Sequence, residues 1–239
     1  MVSETPSRSA SHPAIVCTVD VVLLTLREGQ LHILLVQRSL APFAGAWALP
    51  GGFVHPLEDS DTAASAMRVL RQKAGLESPY LEQLASFSGI ARDPRGWSIS
   101  VVYCALVPWQ ELEQSLAARA ESGAEPVRLQ ALEGLGRLPF DHDQIVDMAL
   151  ARVRSKSQYS SLPVHLCGPQ FTLPQLQQTY EAILGEPINK VSFRRKMDEL
   201  AVLEPVPGEM RSGAAHRPAQ LYRLKPEFRR SLSLLARGL

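Results

Sequence analysis

Residues 14–37 constrain the fold more than any other stretch of this chain. Residues 14–26, AIVCTVDVVLLTL, are apolar and rich in β-branched side chains, the composition of a buried strand. Residues 27–30, REGQ, make a turn carrying Gly29, and residues 31–37, LHILLVQ, are a second apolar run, so the two form a hairpin. With 239 residues and 45% hydrophobic composition, the chain has material for two packed cores. No apolar run approaches the ~18 residues of a membrane span. Residues 1–12 are polar, without the apolar centre of a signal peptide, and are expected to be a disordered tail. Cys17, Cys104 and Cys167 are far apart and lack CxxC spacing, so they read as buried thiols of a reducing cytoplasm.

Beyond the hairpin, a loop over residues 42–52 carries Trp47, Pro50, Gly51 and Gly52. Ser60 or Asp61 caps a helix running to Ala74, with Ala63, Ala66, Met67 and Leu70 at helical spacing and Gly75 ending it. Strands are expected at 84–91, 98–107 and 127–131, and a short helix at 109–120. Asp141 or His142 opens a helix through Arg154 whose apolar face is Ile145, Met148, Ala149 and Val153. Residues 155–170 have no clear periodicity, and the domain junction and a plausible hinge are placed there.

After the junction the pattern is compact. Thr172 caps a helix to Leu184 with Leu176, Tyr180 and Ile183 on one face; a turn follows at 185–187; Asn189 caps a second helix to Leu200. Two short strands, 202–206 and 220–224, are joined by a loop rich in Gly, Pro, Arg and His. Helix–turn–helix followed by a two-stranded ribbon is the winged-helix layout. Charge divides at the same place. Residues 1–150 hold 11 Lys+Arg against 17 Asp+Glu, a net of −6, whereas residues 151–239 hold 14 against 7, a net of +7. A basic second domain suggests a polyanionic partner. In its second helix Phe193, Met197 and Leu200 make the packed stripe, Arg195 points opposite, and Lys190 and Arg194 flank. Asn189, Lys190, Ser192, Arg194 and Arg195, with Thr172 and the ribbon residues His216 and Arg217, are the candidate DNA contacts. Arg211 and Arg223 add charge to the ribbon.

Gly51–Leu76, GGFVHPLEDSDTAASAMRVLRQKAGL, resembles the Nudix box, GxxxxxE-x7-REUxEExGU with U aliphatic. Gly52 and Glu58 fit its opening, and Arg68, Leu70, Gly75 and Leu76 its close. The upstream WALPGG also resembles the lead into this box. The three glutamate positions that hold Mg²⁺ in active members carry Val69, Gln72 and Lys73 here. Valine offers no ligand, glutamine is neutral, and lysine is a cation where a cation must bind. Nine residues, not seven, separate Glu58 from Arg68, and residues 62–76 contain no Asp or Glu, so no shift of register restores the site. Loss of hydrolysis is the expectation. A pocket can outlive its metal: Arg38, Trp47, Gly51, Gly52, Phe53, Asp93, Arg95 and Trp97 are candidates for holding a nucleotide diphosphate, by aromatic stacking, arginine–phosphate pairing and close backbone approach.

Three segments, FDHDQIV (140–146), FTLPQLQQTYEAILGEPINKVSFRRKM (171–197) and HRPAQLYRL (216–224), make about residues 13–230 resemble the NrtR family, Nudix-related transcriptional regulators of NAD metabolism. The resemblance implies an α/β fold, a Nudix α/β/α sandwich followed by a C-terminal winged helix–turn–helix, divided as tail 1–12, sensing domain 13–155 and DNA-binding domain 156–239. It implies a bacterial, cytoplasmic homodimer that represses genes of NAD salvage or synthesis. Palindromic double-stranded DNA is the partner, with no cofactor and no membrane. ADP-ribose or a related NAD-derived nucleotide is the implied effector that releases it. Asp141 and His142 then begin a helix from pocket to DNA domain, with His142 a ligand contact. Arg217 matches the family's wing arginine, and Lys190, Arg194 and Arg195 its helix cations. The competing readings are an active Nudix pyrophosphatase acting on ADP-ribose-like substrates, and a nucleotide sensor that binds a protein partner.

Overall fold

The computed structural model describes residues 15–76, 80–120, 123–213, 216–229 and 231–235, and side chains at 209–218 lie outside the description. The opening hairpin is present as β1 (Val16–Arg27) and β2 (Gln30–Gln37), paired antiparallel from Leu24↔Ile33 to Arg27↔Gln30. Short strands β3 (Trp47–Ala48) and β4 (Gly51–Phe53) lead to helix α1 (Thr62–Ala74). Next come β5 (Tyr80–Gly89), β6 (Ser98–Leu106), α2 (Trp109–Ala120), β7 (Val127–Ala131) and α3 (His142–Ser157). Together the seven strands form one mixed sheet in which β6 runs parallel to β1, β5 edges β6 and β7 edges β2.

The sheet is covered on both faces, and this is why β1 is apolar throughout rather than alternating. Val19, Val21 and Leu23 pack against Ala66, Val69 and Leu70 of α1 and Leu112 of α2. Val22 and Leu24, pointing the other way, pack with Ile145, Val146, Ala149 and Val153 of α3. Two expected core positions move out. Ala63 is exposed and Met148 is 42% exposed, because the buried stripe of α1 is Ala66–Val69–Leu70–Ala74 and that of α3 turns through Val146.

The second domain begins with a 3₁₀ turn at Leu162–Leu166, then β8 (Phe171–Thr172), α4 (Leu173–Leu184), α5 (Lys190–Leu200), β9 (Leu203–Gly213) and β10 (His216–Leu224). Thr172 starts α4 with a capping box closed by Gln175, and the Asn189 carboxamide oxygen accepts from the amides of Val191 and Ser192 to start α5. Tyr180 and Phe193 meet edge to face at 5.3 Å in the centre of this core. The ribbon is longer than the sequence suggests. Both strands reach into the expected loop, and the Pro207–Gly208 break is absorbed as an irregularity in register between Met210↔Gln220 and Pro205↔Tyr222.

The junction is not a free linker. Helix α3 continues to Ser157, and residues 160–166 are buried. Leu162, Leu166 and Ile183 belong to the same apolar cluster as Tyr80, Leu84 and Val153, so the two domains share a seam. Backbone bonds from Leu235 to Tyr159 (2.7 Å) and from Ser161 to Ser233 (3.0 Å) fasten the C-terminal segment over it. Residues 160–166 are therefore packed into the seam, whereas 155, 158, 159, 169 and 170 are exposed, so a hinge within 155–170 would fall at the ends of this stretch.

Candidate nucleotide pocket and DNA-binding face

Strands β1 and β2 part after Leu24 and Ile33. Farther along, β1 takes β4 as its neighbour, with Thr18↔Phe53 and Asp20↔Gly51, while β2 takes β3. The divergence opens a cavity of about 270 Å³, just below the roughly 300–1,000 Å³ of most small-molecule sites. Of the candidates read from sequence, Arg38, Gly51, Gly52, Phe53, Asp93, Arg95 and His142 all line it. Two do not. Trp47 packs on the α3-side core with Arg128 stacked 4.5 Å from its ring, and Trp97 sits at the start of β6, 45% exposed and outside the lining.

Residues not singled out beforehand build the pocket floor. Asp20 is the one carboxylate in β1, on the α3-facing side, and is 7% exposed. It accepts from Ser100 Oγ at 2.6 Å, and its other oxygen lies 3.7 Å from His142 Nε2. Arg92 Nη2 stands 3.6 Å from Asp20, and the same guanidinium forks onto Asp141 at 3.0 and 3.1 Å. The amide of Leu49 donates to His142 Nδ1 at 3.1 Å, so that nitrogen carries no proton, and burial lowers the pKa of the ring. Gly51 is required by this floor: a Cβ there would lie 2.2 Å from Asp20 Oδ1. The solitary Asp in an apolar strand was the signal in the sequence. Arg92 had none beyond its neighbours Asp93 and Arg95.

Four cations, Arg38, Lys73, Arg92 and Arg95, and three carboxylates, Asp20, Asp93 and Glu125, line the cavity. The Arg95 guanidinium clasps Asp93 (2.7 Å), holding that carboxyl below its ordinary pKa, and passes 5.2 Å from the Phe53 ring. Asp93, 3% exposed, thus positions Arg95. Lys73 pairs with Glu125. Arg38 has no carboxylate partner among the described residues: it donates to the carbonyls of Pro42 (2.8 Å) and Leu40 (3.3 Å) and lies 4.8 Å from the Phe140 ring. Desolvation, then the neighbouring Arg95, lowers its pKa. It is the charge best placed to meet an anion entering the cavity.

The donor set does not fit Mg²⁺. Val69 is 1% exposed within the core, Gln72 is exposed, and Lys73 is a cation. The opening acid of the box is also reassigned. Arg68 pairs with Asp59 at 2.7 Å, and donates to the Phe53 carbonyl, whereas Glu58 faces solvent beside His55. That shift absorbs one of the two extra residues in the spacing. The Arg68 bond holds the Asp59 carboxyl well below the usual range.

On the second domain, Lys190, Arg194 and Arg195 are exposed on α5, Ser192 is half-buried beside them, and Phe193, Met197 and Leu200 are buried behind. Thr172, at the start of α4, is 6% exposed with its hydroxyl engaged in the capping box. Asn189 spends its carboxamide oxygen on the cap. Arg223 is paired with Glu204 at 2.6 Å. The side chains of Arg211, His216 and Arg217 lie outside the described residues. Among those residues no helix is long and apolar enough to cross a membrane.

Comparison with known proteins agrees with this two-part layout. Residues 17–148 match the NUDIX domain family model, and residues 163–224 match the NrtR DNA-binding winged helix domain. The ADPR responsive transcriptional repressor NtrR of Acinetobacter baylyi is 43% identical over 216 residues, covering 90% of this chain and 84% of that protein. The crystal structure of Shewanella oneidensis NrtR complexed with a 27mer DNA is 39% identical, with a TM-score of 0.85 over 93% of this chain and 99% of that one. The Nudix domain of the same Shewanella protein, complexed with ADP ribose, matches at 36% identity and a TM-score of 0.51, over 59% of this chain and 90% of that one. An ADP-ribose pyrophosphatase of Methanocaldococcus jannaschii is 35% identical over 135 residues, 56% of this chain and 72% of that enzyme.

Proposed function

The chain belongs to the NrtR family, a Nudix domain joined to a winged helix, and from that premise we propose that it is an ADP-ribose-responsive transcriptional repressor. It acts as a cytoplasmic homodimer on palindromic DNA controlling NAD salvage or synthesis, and ADP-ribose or a related NAD-derived nucleotide releases it. The observation that carries this reading is one helix joining two charged surfaces. Helix α3 starts on the pocket floor at His142 and ends at Ser157, against the turn that opens the winged domain. At its far side α5 turns Lys190, Arg194 and Arg195 to solvent.

In this mechanism Arg38 and Arg95 meet the diphosphate, Phe53 offers a ring for stacking, and the Gly51–Gly52 backbone lies close to the ligand. A ligand that draws Arg92 or His142 away from Asp20 and Asp141 changes the first turn of α3. A helix of 16 residues transmits a tilt over about 24 Å. The ligand acts only through a difference in affinity between the two placements of the winged domains. In a two-fold dimer that displacement misaligns the half-sites.

No hydrolytic step is assigned. The positions that would hold the metal carry Val69, Gln72 and Lys73, which supports binding without turnover. The test is one titration: ADP-ribose is added to a protein–operator complex with and without Mg²⁺, while DNA release and ADP-ribose consumption are followed together. Release without consumption is expected. Turnover at ~1 s⁻¹ or faster, an ordinary enzymatic rate, would establish the pyrophosphatase reading instead.

A further inference from the structure

Val191 is the second residue of α5 and is 78% exposed. It plays no part in the core of its domain. The buried stripe of α5 is Phe193, Met197 and Leu200, and on a helix of 3.6 residues per turn Val191 falls on the opposite side. There it shares one ridge with Arg194 and Arg195, at i+3 and i+4. Lys190 is exposed beside it. An aliphatic side chain thus sits in the middle of an otherwise cationic face. A β-branched residue is also a poorer helix former than alanine at an exposed position. Local stability does not account for it.

The same ridge has a polarity. Its N-terminal half carries three cations around Val191, while its C-terminal half carries exposed Asp198 and Glu199, which phosphates repel. The N-terminal half therefore enters the groove. Helical side chains lean towards the N-terminus, which carries Val191 deeper still. In the major groove the feature that an aliphatic group can recognise is the C5-methyl of thymine, since the other base-edge groups are hydrogen-bond donors and acceptors.

Resting on the repressor reading above, we propose that Val191 determines sequence specificity by packing on a thymine methyl, at one symmetric T·A pair in each half-site. Arg194 and Arg195, on either side, are placed to contact the adjoining base edges or phosphates.

The experiment uses the full-length protein and a duplex that it selects from a random pool. Each symmetric pair of thymines in that duplex is replaced in turn by deoxyuridine, which removes the methyl and nothing else. Binding is measured at one salt concentration for the parent and for Val191→Ala. Removing one buried methyl should weaken binding about three- to fivefold per half-site, and roughly tenfold or more across both. The parent should show this loss at one pair of positions, and Val191→Ala should show a clearly smaller loss there while melting at the parent's temperature. If the selected duplex tolerates uridine at every position, or if Val191→Ala keeps the same sensitivity, Val191 reads no methyl and the proposal fails while the DNA-binding function stands. If no sequence is selected at all, the repressor reading itself fails and this proposal with it.

Discussion

Arg92 and Asp141 share two hydrogen bonds, at 3.0 and 3.1 Å, across the floor of the pocket. Arg92 is contributed by the segment between β5 and β6, and Asp141 is the residue immediately before α3. Both side chains are nearly buried, at 7% and 13% exposure, and Asp20 lies 3.6 Å from the same Nη2 that bonds Asp141. Removing one member of such a cluster leaves charge stranded in low dielectric. Arg92→Ala should therefore destabilise by about 3–5 kcal/mol, measured by urea unfolding. Asp141→Asn keeps the volume and one acceptor and should cost less. It should also weaken the effect of ADP-ribose on DNA binding more than it weakens ADP-ribose binding. An Arg92→Ala protein as stable as the parent would remove the cluster from its structural role.

Gly51 and Asp20 are directly opposed in the β1–β4 pairing, and a Cβ at Gly51 would approach Asp20 Oδ1 to 2.2 Å and the Val19 carbonyl to 3.0 Å. Gly51→Ala must displace Asp20, and with it the bonds to Ser100 and the approach to His142. A cost of about 1–3 kcal/mol is expected for overpacking of this kind, together with lost ADP-ribose affinity in calorimetry. Gly52 is a milder case, since its Cβ would meet only the Val69 methyl at 3.3 Å. An unchanged affinity in Gly51→Ala would mean that Asp20 does not shape the site.

The elements of this molecule were legible where periodicity and capping agree. Asp61, Thr172 and Asn189 do cap α1, α4 and α5, and the apolar run of β1 is buried on both faces. The glutamate losses were equally plain. What sequence did not disclose depends on three-dimensional meeting points. Asp20, Arg92 and Asp141 are separated by tens of residues and come from β1, the segment leading into β6 and the start of α3. Trp47 and Trp97 lie outside the cavity lining, and aromatic type alone does not specify whether a side chain turns to a cavity. Residues 158–166 lack periodicity because a 3₁₀ turn buried against two domains needs none.

His165 lies in that turn, 3% exposed and stacked on Tyr80 with ring centroids 4.5 Å apart. Burial pushes its pKa down from the ordinary 6.5 to about 4. The unfolded chain therefore takes up a proton that the native state refuses. Stability attached to this group is complete above pH 6.5 and is lost as the pH falls towards 4, at up to about 1.4 kcal/mol per unit. His142, also lowered by burial, adds a slope of the same sign. The Nε2 of His165 has no hydrogen-bond partner among the described residues, but the ring does bond the Ser231 backbone, so His165→Phe should cost about 1–2 kcal/mol near pH 7. It should flatten, but not abolish, the decline between pH 6.5 and 4. Denaturant midpoints across that range check this, and an unchanged slope in His165→Phe would place the titration elsewhere.

Arg195 is exposed on α5 directly away from Phe193, Met197 and Leu200, whereas Lys196 is half-buried towards the packed side. Arg195→Ala should therefore leave the melting temperature nearly unchanged. A base-contacting arginine supplies roughly 1–3 kcal/mol of discrimination, and a dimer presents two, so specific binding should weaken by about a hundredfold or more. Preference should relax at one symmetric pair of positions. Lys196→Ala serves as the comparison and should cost less DNA affinity. Arg217→Ala in the ribbon should act differently, reducing affinity most at sites with A·T-rich flanks if the wing reads minor-groove width. Competition between operator and scrambled duplex at fixed salt separates the cases, because a lost phosphate contact weakens both duplexes alike while a lost base contact weakens the operator alone. Parent-like operator binding by both Arg195→Ala and Arg217→Ala would mean that the helix and wing are not the DNA surface, and that the net +7 of residues 151–239 serves another purpose.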